Sequence, residues 1–425
     1  MNDFFFLIYL FLALFVVVDG TLKLISSIMR IKEGALCVQY FFYFVFYIFF
    51  IVPMVINLVF AGYQYEIFWQ ANEAMRDYLS MIIYAVFVYV FSFFIYNSAK
   101  KDEGIVHDRY YINLGVVNIC TVTIIVCFLI TIAVSGIQVL TGGYGYAYIN
   151  KDLNVNEAVI GCGVVSYLVV LAHIKLISRF RLLILTFIVL CFFWIVGKRY
   201  IIAETLIMCI CVLGMVGVID GKKMVNYLVV GGVSIVAFGF LYGVFFKENV
   251  TSIIDYLNID FSRQYTLVYQ FYCDRIGRNI SINKFDGVVY LVTFFIPRLI
   301  WEFKPYPFVN YLTLSLTGQD YVEFVNAGFA TTCSIFSDLF DSFGYLGILL
   351  GIYLFVKLFH KANNEMRVHY KVITIYICVK LITVQLSSSI VQITVVLIIL
   401  FLSSIFTKNI EVNPQFELYE DTDTE

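Results

Sequence analysis

Apolar runs too long for the core of a soluble domain recur along this whole chain. They cover residues 4–18 (extended by 22–25), 36–60, 79–96, 112–140, 158–177, 182–196, 201–219, 225–246, 335–359 and 372–406. A membrane-crossing helix needs about 20 predominantly apolar residues, at 1.5 Å of rise each, to cover about 30 Å of hydrocarbon. The last run is too long for one crossing and is predicted to make two, hinged at Ser387-Ser388-Ser389. The expected fold is therefore an all-α polytopic transmembrane bundle of about eleven spans, or twelve if residues 287–300 also dip in. Composition agrees: 61% of the residues are hydrophobic and 14% charged, against about 25% charged in soluble domains. No cleavable signal peptide is expected, because Asn2 and Asp3 supply no basic start and no small-residue cleavage site follows the first run.

Charge placement orients the bundle. Lys23, Arg30 and Lys32 follow the first run; Lys100, Lys101 and Arg109 the third; Lys175, Arg179 and Arg181 the fifth; Lys222 and Lys223 the seventh; Lys357, Lys361, Arg367 and Lys371 the ninth. The short even-numbered connections hold only Arg76, Lys151 and the pair Lys198–Arg199. By the positive-inside rule the odd connections are cytoplasmic. The N-terminus is then outside and the C-terminus inside. The chain divides into spans one to eight (1–246), a large external loop with short helices (247–334), the C-terminal spans (335–407) and an acidic cytoplasmic tail (408–425) expected to be disordered.

The external loop breaks the charge rule. It carries Arg263, Arg275, Arg278, Lys284, Arg298 and Lys304, among Tyr265, Tyr269, Tyr272, Tyr290, Trp301, Tyr306 and Tyr311. Lys198 and Arg199, at the outer mouth of the seventh run, break it too. Guanidinium groups grip phosphate bidentately, and several at an outer leaflet suit a diphosphate headgroup. The competing explanation is structural: they snorkel to lipid phosphates or pair with Asp260, Asp274 and Glu302. Rings such as Trp301 and Tyr306 can stack on sugars, or form an ordinary interfacial belt.

Acids mark the start of the ninth run. Ser334, Asp338, Asp341 and Tyr345 are spaced to share one helix face. Asp338 is expected about one turn inside the membrane, where a carboxylate is costly and serves as a base or as a partner for an arginine. A water-exposed helix start is the alternative. Lys380 falls mid-span and needs a partner, and Gly347 and Gly351 suit close helix packing. The 10 cysteines lack metal spacing and read as small hydrophobes; Cys273 and Cys333 are expected to stay unpaired. No Walker, HExxH or CxxC pattern occurs, so neither nucleotide nor metal cofactor is expected.

Four segments together resemble the bacterial oligosaccharide repeat-unit polymerases, the O-antigen polymerase (Wzy-type) family. They are Gly197-Lys198-Arg199 after an apolar run, the large external loop, IPRLIWEFKP (296–305) and NAGFATTCSIFSDLFDSFGYLGILLGIYLF (326–355). The family commonly has an arginine between the last two spans; here Ser387–Ser389 stand there. The resemblance implies a C-type glycosyltransferase-like enzyme in the bacterial cytoplasmic membrane, its site facing outward. It would join undecaprenyl-diphosphate-linked units into O-antigen or capsule, without metal, nucleotide or nucleic acid. A membrane protein that sets chain length is an implied partner. Asp338, Arg298 and Arg199 are the implied catalytic residues. Lys304, Arg263, Arg275, Arg278, Lys198, Trp301 and Tyr306 would bind substrate. A glycan ligase of the same class and a lipid-linked sugar flippase are the alternatives.

Overall fold

The structure is a computed structural model. It describes residues 2–35, 37–60, 63–103, 110–142, 157–197, 199–246, 254, 258, 261–319, 331–405 and 410–412. Fifteen helices of seven residues or more fall within them. They are α1 (Asn2–Lys32), α2 (Val38–Val59), α3 (Tyr78–Asp102), α4 (Leu114–Ser135), α5 (Glu157–Ala172), α6 (Arg179–Val196), α7 (Arg199–Met215) and α8 (Gly221–Phe246). There follow α9 (Gln264–Arg275), α10 (Asp286–Val292), α11 (Phe308–Thr317), α12 (Ile335–Phe343), α13 (Tyr345–Asn364), α14 (Val368–Thr383) and α15 (Leu386–Ile405). Six of these, α1 to α4, α6 and α13, are long and apolar enough to cross a membrane. The chain is a multi-pass α-helical membrane protein.

The basic connections gather at one end of the bundle. There, Gln39 on α2 and Asn363 on α13 both donate to Asp102 on α3, at 2.7 and 3.0 Å, and His360 lies 2.8 Å from the same carboxylate. Arg30 pairs with Glu103, and Gly221 at the head of α8 lies against the backbone of Ile31. His173 stacks on His369. Strand β1 (Tyr110–Ile112) pairs antiparallel with β2 (Ile410–Val412); the rest of the tail, 408–409 and 413–425, lies outside the described residues. The opposite end joins the even connections: Arg275 pairs with Asp77, Trp69 donates to Thr317 O, and Trp194 donates to Leu140 O. Lys23 is not in a connection. It lies within α1, neutralised by Asp19 one turn away at 2.5 Å.

Proline shapes α2. Pro53 has no N–H to return to Phe49 O, and the turn Tyr47–Ile51 winds as a π-helix. In a bilayer a freed carbonyl needs a protein partner. Phe49 O finds one in the backbone N–H of Arg263, just ahead of α9, at 3.2 Å. Thus α9 starts inside the bundle.

The ninth apolar run does not form one span. It breaks at Gly344, whose φ of +61° is open to glycine and strained for other residues. There α12 folds back along α13. A side chain at Gly347 would strike Leu339 O and one at Gly351 would strike Phe336, so these glycines let two backbones touch. Tyr345 therefore leaves the helix face that Ser334, Asp338 and Asp341 share. Phe336 packs among Phe87, Phe91 and Phe355 at the middle of the long spans. Hence α12 also begins deep. It climbs beside α9, tied by Tyr265 Oη to Thr331 Oγ1 (2.7 Å) and by Phe271 against Phe340.

Candidate functional site

The last hairpin, α14 and α15, is zipped by Tyr376 Oη to Gln392 Oε1 at 2.7 Å. It turns at Val384–Gln385, earlier than the serines that mark a hinge in the sequence. Two groups hold its tip. Arg263 Nη2 donates to Thr383 O at 2.5 Å, where the carbonyls of α14 run out. Leu386 N–H, where α15 begins, donates to Asp338 Oδ2 at 3.3 Å. A cation on a helix C-terminus and an anion on a helix N-terminus each complement the dipole there. Asp338 lies one turn into α12, whose remaining five residues climb about 7–8 Å beyond it. The tip therefore stops short of the surface. Arg263 and Asp338 meet it beneath the loop, the first 2% exposed and the second half-buried.

A second acid stands above the first. Asp341 accepts from Ser281 Oγ through both oxygens at 2.9 Å. Burial pushes its carboxyl up to about 6; the Ser281 hydrogen bond opposes the shift and nearby Asp286 adds to it. Asp286 is itself buried and accepts from Asn283 N and Nδ2.

The cations of 296–305 form a closed knot. Lys304 Nζ donates to Ile296 O and Phe294 O, at 2.9 and 3.2 Å. Arg298 donates to Lys304 O and Pro305 O, at 2.7 and 2.8 Å, and its guanidinium lies 3.6 Å from the Tyr306 ring centre. Burial, with Arg298 close by, holds Lys304 below its usual value. Among the described residues neither cation meets a carboxylate. Each keeps N–H groups beyond those used: a guanidinium has five and an ammonium three.

The other candidates spread out. Arg275 pairs with Asp77 rather than Asp274. Arg278 is exposed, and Trp301 is half-buried beside the knot. Arg199 is the first residue of α7, with its side chain outside the described structure; Lys198 lies outside the described residues. Cys273 and Cys333 are free thiols.

Below the tip lies a pair that only half appeared in the sequence. Lys380 Nζ reaches Glu204 Oε2 at 2.6 Å, with both side chains buried. Between them and Glu157, Thr205, Tyr376 and Gln392 is a cavity of about 20 Å³, room for one water. Lys380 announced the need for a partner. Glu204, an acid alone in an apolar run, was the matching signal. Among the described residues no three His, Cys, Asp or Glu side chains converge as metal ligands.

The fold and these sites define the class, a multi-pass helical membrane protein with a charged, buried hairpin tip. No protein-family model, curated protein or solved structure matches the chain.

Proposed function

We propose that this chain joins lipid-diphosphate-linked oligosaccharide repeat units into a surface polysaccharide. The transfer would occur at the bundle end away from the basic connections, which the positive-inside rule makes the external face of a bacterial cytoplasmic membrane. One observation supports it above the rest: two helices that begin inside the bundle bring Arg263 and Asp338 to a single sunken hairpin tip under a cationic, aromatic loop. The reaction forms a bond from an acceptor hydroxyl to the donor's anomeric carbon and breaks that carbon's bond to the lipid diphosphate. Asp338 takes the hydroxyl proton or orients it. The diphosphate leaves with its charge stabilised by Arg199, Arg278 and the spare donors of Arg298. Arg263 is too enclosed to meet a headgroup; it positions the tip. Lys304 holds the loop.

The test is the length distribution of surface glycan from strains carrying Asp338→Asn or Arg199→Ala, at matched protein levels. Loss of long chains, with single units accumulating on the lipid carrier, is expected. A normal ladder in both strains sinks the proposal. A ligase would leave polymer stranded on the carrier. Transport is a second reading, favoured by helices that start inside the bundle beside a buried ion pair. It requires single units to stay on the basic side of the membrane.

A further inference from the structure

Segment 292–307 is built inside out. Its two cations turn inward, onto the carbonyls of Phe294, Ile296, Lys304 and Pro305. Its large apolar side chains turn outward. Val292, Phe295, Leu299, Ile300 and Phe303 are all exposed, Leu299 completely and Phe303 at 88%. A loop in water shows its backbone and polar groups to solvent. In hydrocarbon the demand reverses, because irregular backbone needs protein partners for its polar groups. Lys304 and Arg298 meet that demand for four carbonyls.

The patch is also continuous with a surface that faces lipid. Phe285, just ahead of α10, packs on Phe343 with ring centres 5.7 Å apart. From Phe343 the exposed side of span α13 runs on through Leu346, Leu349 and Tyr353. Contiguous exposed apolar area of this kind marks an interaction surface. We propose that the outward apolar side chains of Val292, Phe295, Leu299, Ile300 and Phe303 insert into the acyl chains of the leaflet at the non-basic end, as an interfacial wedge, with Arg298, Trp301, Glu302 and Tyr306 near the headgroups. This holds whatever reaction the protein performs.

The chain has 3 tryptophans, so each can be replaced by Phe and a single probe introduced as Leu299→Trp. The purified protein is reconstituted into phosphatidylcholine vesicles with or without bromine on the acyl chains. Emission from L299W is expected to fall at least twofold in brominated vesicles and to change little with aqueous acrylamide. Strong acrylamide quenching with no bromine effect overturns the proposal. So does protection from both quenchers, which would mean that protein covers the patch. Should L299W fail to fold, Phe303→Trp in the same tryptophan-free background reports on the inserted side chains by the same two readings.

Discussion

Breaking the buried pair between Lys380 and Glu204 tests the packing of the last hairpin against α7. The charges are 2.6 Å apart, and the side chains are only 7% and 9% exposed. At an effective dielectric of about 20 the attraction is about 6 kcal/mol, before the desolvation that offsets much of it. Removing one member of such a buried pair costs about 3–5 kcal/mol. For 425 residues, an unfolding entropy of about 2.1 cal/mol/K per residue turns that into a fall in Tm of roughly 3–6 °C. Lys380→Met and Glu204→Gln are each expected to show it. The double variant removes both charges together and is expected within about 2 °C of wild type, because a pair replaced whole is often neutral. The assay is an apparent Tm in one detergent at one heating rate, since such unfolding is commonly irreversible. If the double variant loses the sum of the two single losses, the groups are not coupled and α14 does not lean on α7 through this pair.

Asp341 should make stability depend on pH in an unusual sense. Its folded value, about 6, lies above the ordinary 3.8, so between these values the folded state binds the proton more strongly. Stability from this group is then greatest at low pH and declines as pH rises from about 4 to about 6. Asp341→Asn is expected to raise Tm at pH 8 but not at pH 4; an equal effect at both would refute the assignment. Gly347→Val should be among the most damaging single changes, because its side chain would overlap Leu339 O in the α12–α13 turn; size-exclusion profiles showing normal folded yield would contradict that packing. Arg275→Ala should cost under about 1 kcal/mol, since its pair with Asp77 is partly open to solvent; a Tm drop well beyond about 1 °C would show a larger role.

Hydropathy located the long helices because each must bury its own backbone in lipid, and charge asymmetry grouped their ends because both depend on composition alone. Direction of travel does not. Ile335–Phe343 is as apolar as a continuing span, and only Phe343-Gly344, where φ turns positive, separates a fold-back from a straight run. The opposite error arises at α9. QYTLVYQFYCDR is polar enough to pass for surface loop, yet most of it is buried. Several of its polar side chains find partners inside: Gln264 with Asn57, Tyr265 with Thr331, Tyr269 with Ser315. Hydropathy counts such groups as exposed because it cannot see who satisfies them. Pro53 was the one local cue that a carbonyl would be released at that depth for α9 to use.

The cations that break the charge rule now separate by partner, and the separation bears on which can hold a ligand. Arg275 is matched by a carboxylate. Arg263 is matched by the carbonyl end of α14. Arg298 and Lys304 are matched by their own loop, with donors left over. A cation on the wrong side of a membrane therefore does not by itself imply an anionic ligand, since backbone freed from helix is an equally good reason for it. What singles out a binding group is a spare donor at a level a headgroup can reach. Arg298 meets both conditions if its segment lies in the leaflet, for the guanidinium then sits where lipid phosphates are. Arg263 fails the second, being 2% exposed beneath the loop. Structural and functional uses of the loop's charge thus converge on Arg298: the hydrogen bonds that fold 296–305 also fix the direction in which its remaining N–H groups point.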